Sequence, residues 1–130
     1  VAALTAADEV IVPLQCETLS HRGVGQLMET IADVQRLTNP RLRVAGLLPT
    51  LYDGRTAHAK AVLQDLGPRY GVRVFRPIRR SIRFAEAPAR GCSILDHAPS
   101  SPGAAAYRAL AERVLGAAAP APTIDLTTHR

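Results

Sequence analysis

Residues 10–14 read Val-Ile-Val-Pro-Leu, an apolar run with β-branched side chains. A run of this kind is typical of a strand that is buried on both faces of a parallel sheet, and Pro13 is expected to mark its end. Further apolar runs lie at 42–48 and 72–75, and amphipathic helical patterns separate the three runs. Strands that alternate with helices in this way form parallel βαβ units. The predicted fold class is therefore α/β, a partial doubly wound and mainly parallel sheet flanked by helices.

The helical patterns have clear starting signals. The first begins at Ser20 or His21, and Thr56 is placed to cap the second. A last helix is predicted from apolar residues that recur at helical spacing, namely Tyr107, Leu110, Ala111, Val114 and Leu115. We expect residues 1–118 to form the folded part and 119–130, which are rich in Ala and Pro and then polar, to form a flexible tail. Since the first residue is Val1 and not methionine, the chain is expected to be processed or to be a piece of a longer one.

The composition excludes several classes of protein. Hydrophobic residues make up 47% and charged residues 21% of the chain, which is typical of a globular domain and not of a disordered one. No apolar run approaches the length of a membrane span, and no signal peptide opens the chain. Cys16 and Cys92 form no CxxC pair, and the histidines lack the spacing of metal ligands, so neither a zinc site nor a disulfide is predicted.

The basic residues are unevenly distributed. The formal net charge is +5, and Lys60 is the one lysine among the 16 Lys and Arg residues. A window without acidic residues contains Arg69, Arg73, Arg76, Arg79, Arg80 and Arg83. Such a run is either a solvated face or a patch that binds phosphate, and its few aromatic residues favour duplex over single-stranded nucleic acid. No GxxxxGK[ST] loop and no Gly-x-Ser-x-Gly elbow occurs, so no catalytic residue is predicted.

Three blocks of sequence are similar to those of a known family. Residues 5–17 contain Pro-Leu-Gln-Cys-Glu after the first strand, residues 46–56 read Gly-Leu-Leu-Pro-Thr-Leu-Tyr-Asp-Gly-Arg-Thr, and residues 82–91 contain Arg-Phe-Ala-Glu-Ala-Pro-Ala-Arg-Gly. In this order they resemble the C-terminal half of ParA/Soj-type chromosome and plasmid partitioning ATPases, in the MinD/ParA branch of P-loop proteins. The P-loop, the magnesium-binding aspartate and the hydrolysis-promoting aspartate of that family lie upstream of the matching blocks.

The resemblance implies roles for particular residues. Thr50 and the run Arg79, Arg80, Ser81 would line the adenine end of a nucleotide pocket, although the family commonly has Pro-Arg-Asn before the Val-Arg of its third block. Arg55 and Arg83 match basic positions that the family uses against DNA, and Arg76 joins them from the acid-free window. An alternative for Arg55 is a turn contact with Asp53. Glu86 is expected to have a structural role within its short turn.

The family also implies cofactors and partners. The full-length proteins use ATP and Mg²⁺, form an ATP-dependent homodimer, bind double-stranded DNA non-specifically and act with a ParB-like partner. We therefore expect a cytoplasmic, nucleoid-associated protein that does not bind membranes. This chain alone is expected neither to hold nucleotide tightly nor to hydrolyse it, and no metal ligand is predicted.

Other functional classes remain open at this point. They are a stand-alone or inactive DNA-binding module without nucleotide, another member of the superfamily such as a MinD-like membrane switch or a cobyrinate-type amidoligase, and a truncated reading frame. Residues 116–130 lack the amphipathic basic helix of a membrane switch, and no cysteine–histidine pairing for a glutaminase is visible in the sequence.

Overall fold

A computed structural model describes residues 1–118, and the predicted tail at 119–130 lies outside the described residues. The chain divides into two compact units, Val1–Pro77 and a second that starts at Ile78. The elements of the first unit are α1 (Ala2–Ala6), β1 (Glu9–Gln15), α2 (His21–Leu37), β2 (Arg43–Thr50) and α3 (Ala57–Tyr70). Those of the second unit are α4 (Arg83–Ala89), α5 (Ile94–His97) and α6 (Pro102–Ala118). No helix within residues 1–118 is long and apolar enough to cross a membrane.

β1 and β2 pair in parallel, as the sequence predicts. Their register runs from Glu9 opposite Arg43 to Gln15 opposite Thr50. Pro13 does not end β1, which continues to Gln15. The amide of Cys16 donates to the carbonyl of Thr50 (3.3 Å), so the alternate, odd-numbered residues of β1 turn their nitrogens away from β2. Proline is tolerated there because its nitrogen faces the side of β1 that has no partner strand within residues 1–118.

The predicted third strand at 72–75 is reduced to a single parallel bridge between Leu47 and Val74. The Leu47 amide donates to the Arg73 carbonyl and the Phe75 amide donates to the Leu47 carbonyl, both at 2.8 Å. Gly46 permits this approach, since a Cβ atom at that position would lie 2.7 Å from the Phe75 ring and 2.8 Å from the Arg73 carbonyl oxygen. The direction of the third segment is therefore as predicted, but its length is not.

The core of the first unit is built between the sheet and its helices. Its buried members are Val12, Leu14, Val24, Ile31, Val34, Leu42, Leu47 and Leu66. Along β1, Val12 and Leu14 are buried whereas Pro13 and Gln15 are exposed, so the expectation that this strand is buried on both faces is wrong. β2 is buried continuously from Gly46 to Pro49, which is typical of an inner strand.

The helix starts agree with the sequence. The Ser20 hydroxyl accepts from the amide of Gly23, and the Thr56 hydroxyl accepts from the amide of Ala59. Each cap satisfies one of the amides that the first helical turn leaves without a partner. Gly71 ends α3 with a φ of 65°, a left-handed conformation that glycine adopts without strain.

In the second unit, α6 confirms the predicted last helix, but its predicted apolar face is not its buried face. Ala104 and Ala106 are buried, whereas Val114 and Leu115 are 38% and 66% exposed. Phe84 of α4 meets Tyr107 edge to face, with ring centroids 5.9 Å apart. The start of α6 thus packs through small residues, while its later apolar side chains are accessible in the described part of the chain.

Candidate nucleotide and nucleic-acid contacts

The carboxyl ends of β1 and β2 meet at one edge of the first unit, where ligands bind in parallel sheets. Thr50 is the last residue of β2 and is partly buried. Its hydroxyl donates to the carbonyl of Leu14 at 3.3 Å, which fixes the side chain at the sheet edge and leaves the oxygen able to accept. This is the residue for which the family resemblance implies a nucleotide contact.

The chain turns sharply after Thr50. Leu51 has a φ of 51°, the left-handed region that a leucine adopts at a cost of about 1–2 kcal/mol. Tyr52 is buried next, in a small cluster with Cys16 and Ala59. Burial, followed by the charge of Glu17, raises the pKa of the Cys16 thiol, so this residue is a neutral part of the packing at physiological pH.

Arg55 follows the turn, and its side chain is 88% exposed. Its Nε and Nη2 both donate to the carboxylate of Asp53 at 2.9 Å. These hydrogen bonds, and then the charge of Asp53, raise the pKa of Arg55. The turn contact considered from the sequence is therefore present, while the side chain stays on the surface where a polyanion can reach it.

The arginines of the acid-free window, residues 69–83, differ in whether they form an ion pair. Arg69 donates through Nε to Asp65 at 2.6 Å, and this contact raises the pKa of Arg69. Asp65 lies four residues before Arg69 on α3, just outside the window, and the i, i+4 spacing is the signal that identifies the pair. Arg73 and Arg76 are exposed, and neither forms an ion pair with any residue in the range 1–118.

The second unit carries the remaining predicted residues. Arg79 and Arg80 are exposed, and Ser81 is partly buried just before α4. The hydroxyl of Ser81 accepts from the amide of Arg83 at 3.2 Å and so supports the first turn of α4. Thr50, Arg55 and Arg76 belong to the first unit, whereas Arg79, Arg80, Ser81 and Arg83 belong to the second.

Glu86 has the structural role that the sequence predicts, and its main partner is one that the sequence does not reveal. Its Oε1 lies 3.2 Å from Nε2 of His97 and 3.9 Å from Nε of Arg83. The side chain of His97 is only 10% exposed, whereas that of Arg83 is 55% exposed. α5 brings His97 back onto α4, and no local spacing rule identifies a contact of that kind.

Neither thiol has the surroundings of a catalytic cysteine. Cys16 is fully buried, and Cys92 donates to the carbonyl of Ala87 at 3.7 Å. The imidazoles of His21 and His97 contact Tyr70 and Glu86 instead. Among residues 1–118, no three His, Cys, Asp or Glu side chains come together in a way that would hold a metal ion.

Sequence comparison finds similarity to proteins that are named as partitioning ATPases. The profile of a family described as an AAA domain matches residues 1–44. The chromosome-partitioning ATPase Soj of Thermus thermophilus is 49% identical over 114 residues, which cover 87% of this chain and 46% of that protein. The chromosome partitioning protein ParA of Caulobacter vibrioides is 40% identical over 114 residues, covering 87% of this chain and 43% of that protein. The chain thus spans less than half the length of these curated relatives.

Solved structures confirm the α/β fold class. A crystal structure described as cobyrinic acid a,c-diamide synthase from Mycobacterium smegmatis with bound ADP and magnesium is 47% identical, with a TM-score of 0.71 over 90% of this chain and 41% of that one. The same protein with a bound ATP analogue and magnesium is 49% identical, with a TM-score of 0.70 over 88% of this chain and 41% of that one. The similarity in fold and the similarity in sequence therefore extend over the same large share of the chain.

Proposed function

We propose that this chain, which is similar to the chromosome-partitioning ATPases Soj and ParA over 87% of its length, belongs to that group and supplies the adenine-side contacts and the non-specific DNA contacts of such an ATPase. The observation that carries the DNA part is the exposure of arginines at the matching positions, above all Arg83 at the start of α4. Its guanidinium is half-exposed and keeps donors free beyond its 3.9 Å contact with Glu86. Arg55 and Arg76 are the corresponding candidates in the first unit.

The described residues offer groups that suit the base and the ribose of a bound nucleotide. Thr50 offers a hydroxyl at the carboxyl edge of the sheet, and Arg79, Arg80 and Ser81 offer donors and acceptors in the second unit. Such groups suit a base or a ribose, and bound ATP would supply the phosphoryl group for hydrolysis. For magnesium, the structure shows only that no three His, Cys, Asp or Glu side chains come together among residues 1–118. We infer that this chain contributes to nucleotide recognition.

The proposal extends to assembly and location. A partitioning ATPase of this kind would act as an ATP-dependent homodimer on double-stranded DNA, with a ParB-like partner, in the cytoplasm and at the nucleoid. The name of the Thermus relative supports the chromosomal role.

The test is the salt dependence of duplex binding. Each phosphate that an arginine neutralises contributes about −0.9 to the slope of log affinity against log salt concentration. We expect a slope of about −4 to −5 for the intact protein with ATP, which corresponds to four to six contacts. Arg83→Ala and Arg76→Ala should each reduce the magnitude of the slope by about one and weaken unrelated sequences equally. The measurement is fluorescence anisotropy of a labelled duplex from 50 to 300 mM salt, with the 130-residue chain alone as a reference.

The matched control is Arg36→Ala. Arg36 is also exposed and lies on α2, where it pairs with Asp33 at 2.7 Å. Its removal changes the net charge by the same amount but removes none of the proposed contacts, so the slope should stay the same. If Arg36→Ala lowers the slope as much as Arg83→Ala does, only net charge matters and the assigned contacts are wrong.

A second candidate function follows from the structural neighbours, which are described as a cobyrinic acid a,c-diamide synthase. An amidoligase that uses glutamine needs a thiol activated by an imidazole. Neither cysteine is hydrogen-bonded to a histidine among residues 1–118, and burial raises the pKa of Cys16. We therefore favour the partitioning function. Release of ammonia from glutamine by the intact protein, lost in Cys92→Ser, would reverse this preference.

A further inference from the structure

The second unit contains a cavity of about 440 Å³, in which Ser81 and Arg83, assigned above to nucleotide and DNA, lie beside residues that have no assigned role. It is lined by Ser81, Arg83, His97, Ala98, Pro99, Ser100, Ser101 and Pro102. The lining thus combines a guanidinium, an imidazole and three hydroxyl groups, and it contains no carboxylate. An acid-free set of donors of this kind is suited to an oxyanion.

The hydrogen bonds of the lining residues leave several donors available. The Ser81 hydroxyl accepts from the amide of Arg83, so its own hydrogen can be donated to a ligand. Ser100 makes no hydrogen bond with any residue that the structure describes. Ser101 differs, because its hydroxyl donates to the carbonyl of Ala98 at 2.7 Å and accepts from the amide of Ala104 at 3.2 Å. The free donors are therefore those of Ser81, Ser100 and the outer face of Arg83.

Glu86 lies behind the lining and determines its charge. Its carboxylate lies 3.2 Å from His97 and 3.9 Å from Arg83, so one negative charge is shared between two cationic partners when His97 is protonated. The other charged groups near His97 are Asp96, its neighbour on α5, and Arg108 of α6, whose Nη1 donates to the carbonyl of Pro99 at 2.7 Å. When His97 gains a proton, it pairs with Glu86 and leaves the charge of Arg83 uncompensated toward the cavity.

We propose that this cavity binds a phosphate group, with Arg83, Ser81 and Ser100 as its direct ligands and His97 as the residue that makes binding stronger in acid. The phosphate has two sources, a phosphodiester of duplex DNA or free phosphate. The DNA source rests on the proposed function, and the free-phosphate source does not. In either case the site is a specific pocket and not a general cationic surface.

The experiment monitors the imidazoles of the 130-residue chain by NMR while inorganic phosphate, or separately a 20-base-pair duplex, is added at pH 6.0 and at pH 8.0. The chain has four histidines, and His97→Gln assigns the signal of His97. We expect both ligands to shift the His97 signals and to leave those of His58, which is exposed on α3, unchanged. Because His97→Gln has no imidazole at this position, its phosphate affinity and that of wild type are both read from the backbone amide signals of the cavity lining. Relative to wild type, His97→Gln should weaken phosphate binding roughly five- to tenfold at pH 6.0 and little at pH 8.0, as the loss of a neighbouring positive charge predicts. Wild type and His97→Gln are compared at the same pH. The ionisation state of phosphate is then the same for both proteins and does not contribute to the difference between them.

Two exposed positions on α4 and its end provide further variants. Arg83→Ala should abolish the shift of His97, and Arg90→Ala, which removes an equal charge outside the cavity lining, should preserve it. Ser100→Ala is a second variant that leaves the Glu86–His97 contact intact, and it should weaken phosphate at both pH values. Circular dichroism confirms that each variant is folded.

The outcomes separate the pocket from the DNA function. If Arg83→Ala lowers the salt slope while phosphate and duplex leave His97 unmoved, the pocket is overturned and the DNA contact stands. If phosphate moves His97 while the intact protein with ATP binds no duplex, the pocket is supported as a free-phosphate site and the proposed function fails. Equal losses in Arg83→Ala and Arg90→Ala would also overturn the pocket.

Discussion

Gly46 is the residue on which the third strand segment depends, and its replacement by alanine tests this account of the fold. A Cβ at this position would lie 2.7 Å from the Phe75 ring and 2.8 Å from the Arg73 carbonyl oxygen, closer than real Cβ atoms approach other atoms. The segment at 73–75 must therefore move away from β2. The two 2.8 Å hydrogen bonds between Leu47 and this segment would be weakened or lost.

The structure gives the magnitude of this effect. Overpacking of a buried site costs about 1–3 kcal/mol, and each lost backbone hydrogen bond costs about 0.5–1.5 kcal/mol. Because movement of the segment relieves part of the clash, we expect a total loss of about 2–4 kcal/mol in the free energy of unfolding. With a urea m-value near 2 kcal/mol/M, the midpoint of unfolding should fall by about 1–2 M. The midpoint is measured by urea titration of the 130-residue chain, followed by circular dichroism at 222 nm.

Gly25→Ala is the matched control for Gly46→Ala. Gly25 lies inside α2, and a Cβ there meets no atom within 4 Å. Alanine should stabilise the helix by about 0.5–1 kcal/mol, because glycine loses more backbone entropy on folding. If Gly46→Ala lowers stability by less than about 0.5 kcal/mol while Gly25→Ala behaves as expected, the close packing of residues 73–75 on β2 does not hold in solution.

Three further predictions concern catalysis, capping and the thiols. The 130-residue chain should release no phosphate from ATP and Mg²⁺ in a colorimetric assay, because it contains no phosphate-cradling loop, and EDTA-sensitive turnover would contradict this. Thr56→Ala should cost about 1 kcal/mol in urea unfolding through loss of its bond to the Ala59 amide, whereas Thr18→Ala, which lies outside the helices, should cost less. Cys92 should react with a disulfide reagent at pH 8 well before Cys16, since burial raises the pKa of Cys16, and equal rates would show that Cys16 is accessible. Because the folded state favours the neutral thiol of Cys16, its contribution to stability is present below the unfolded pKa and is lost as the pH rises through the folded one.

The sequence predicts the elements whose signals are local. The apolar run at 10–14, the caps Ser20 and Thr56 and the helical spacing around Tyr107 are each visible within a few residues. The third segment is different, because its pairing depends on how closely residue 46 allows Phe75 to approach. The helix α6 is predicted correctly because its periodicity is a local signal. Its buried face is not predicted, because burial depends on which other elements pack against the helix.

For the candidate residues, too, the sequence predicts short-range side-chain contacts and not long-range ones. The pairing of Arg55 with Asp53 is a two-residue turn contact, and the sequence alone suggests it. The contact of Glu86 with His97 spans 11 residues and a change of direction between α4 and α5, so no spacing rule applies. The cavity around Arg83 therefore becomes visible only when α4 and α5 are placed together.

The distribution of ion pairs predicts which arginines would contribute most to the proposed DNA binding. A phosphate that engages Arg55 must replace two carboxylate hydrogen bonds of 2.9 Å, and at Arg69 it must compete with the 2.6 Å bond to Asp65. At Arg73 and Arg76, which form no ion pair within the described part of the chain, it replaces only water and counterions. Arg76→Ala should thus reduce the salt slope more than Arg55→Ala does, because a contact already neutralised by a carboxylate releases fewer counterions. The opposite order would mean that a DNA phosphate displaces Asp53 from Arg55 at little cost in free energy.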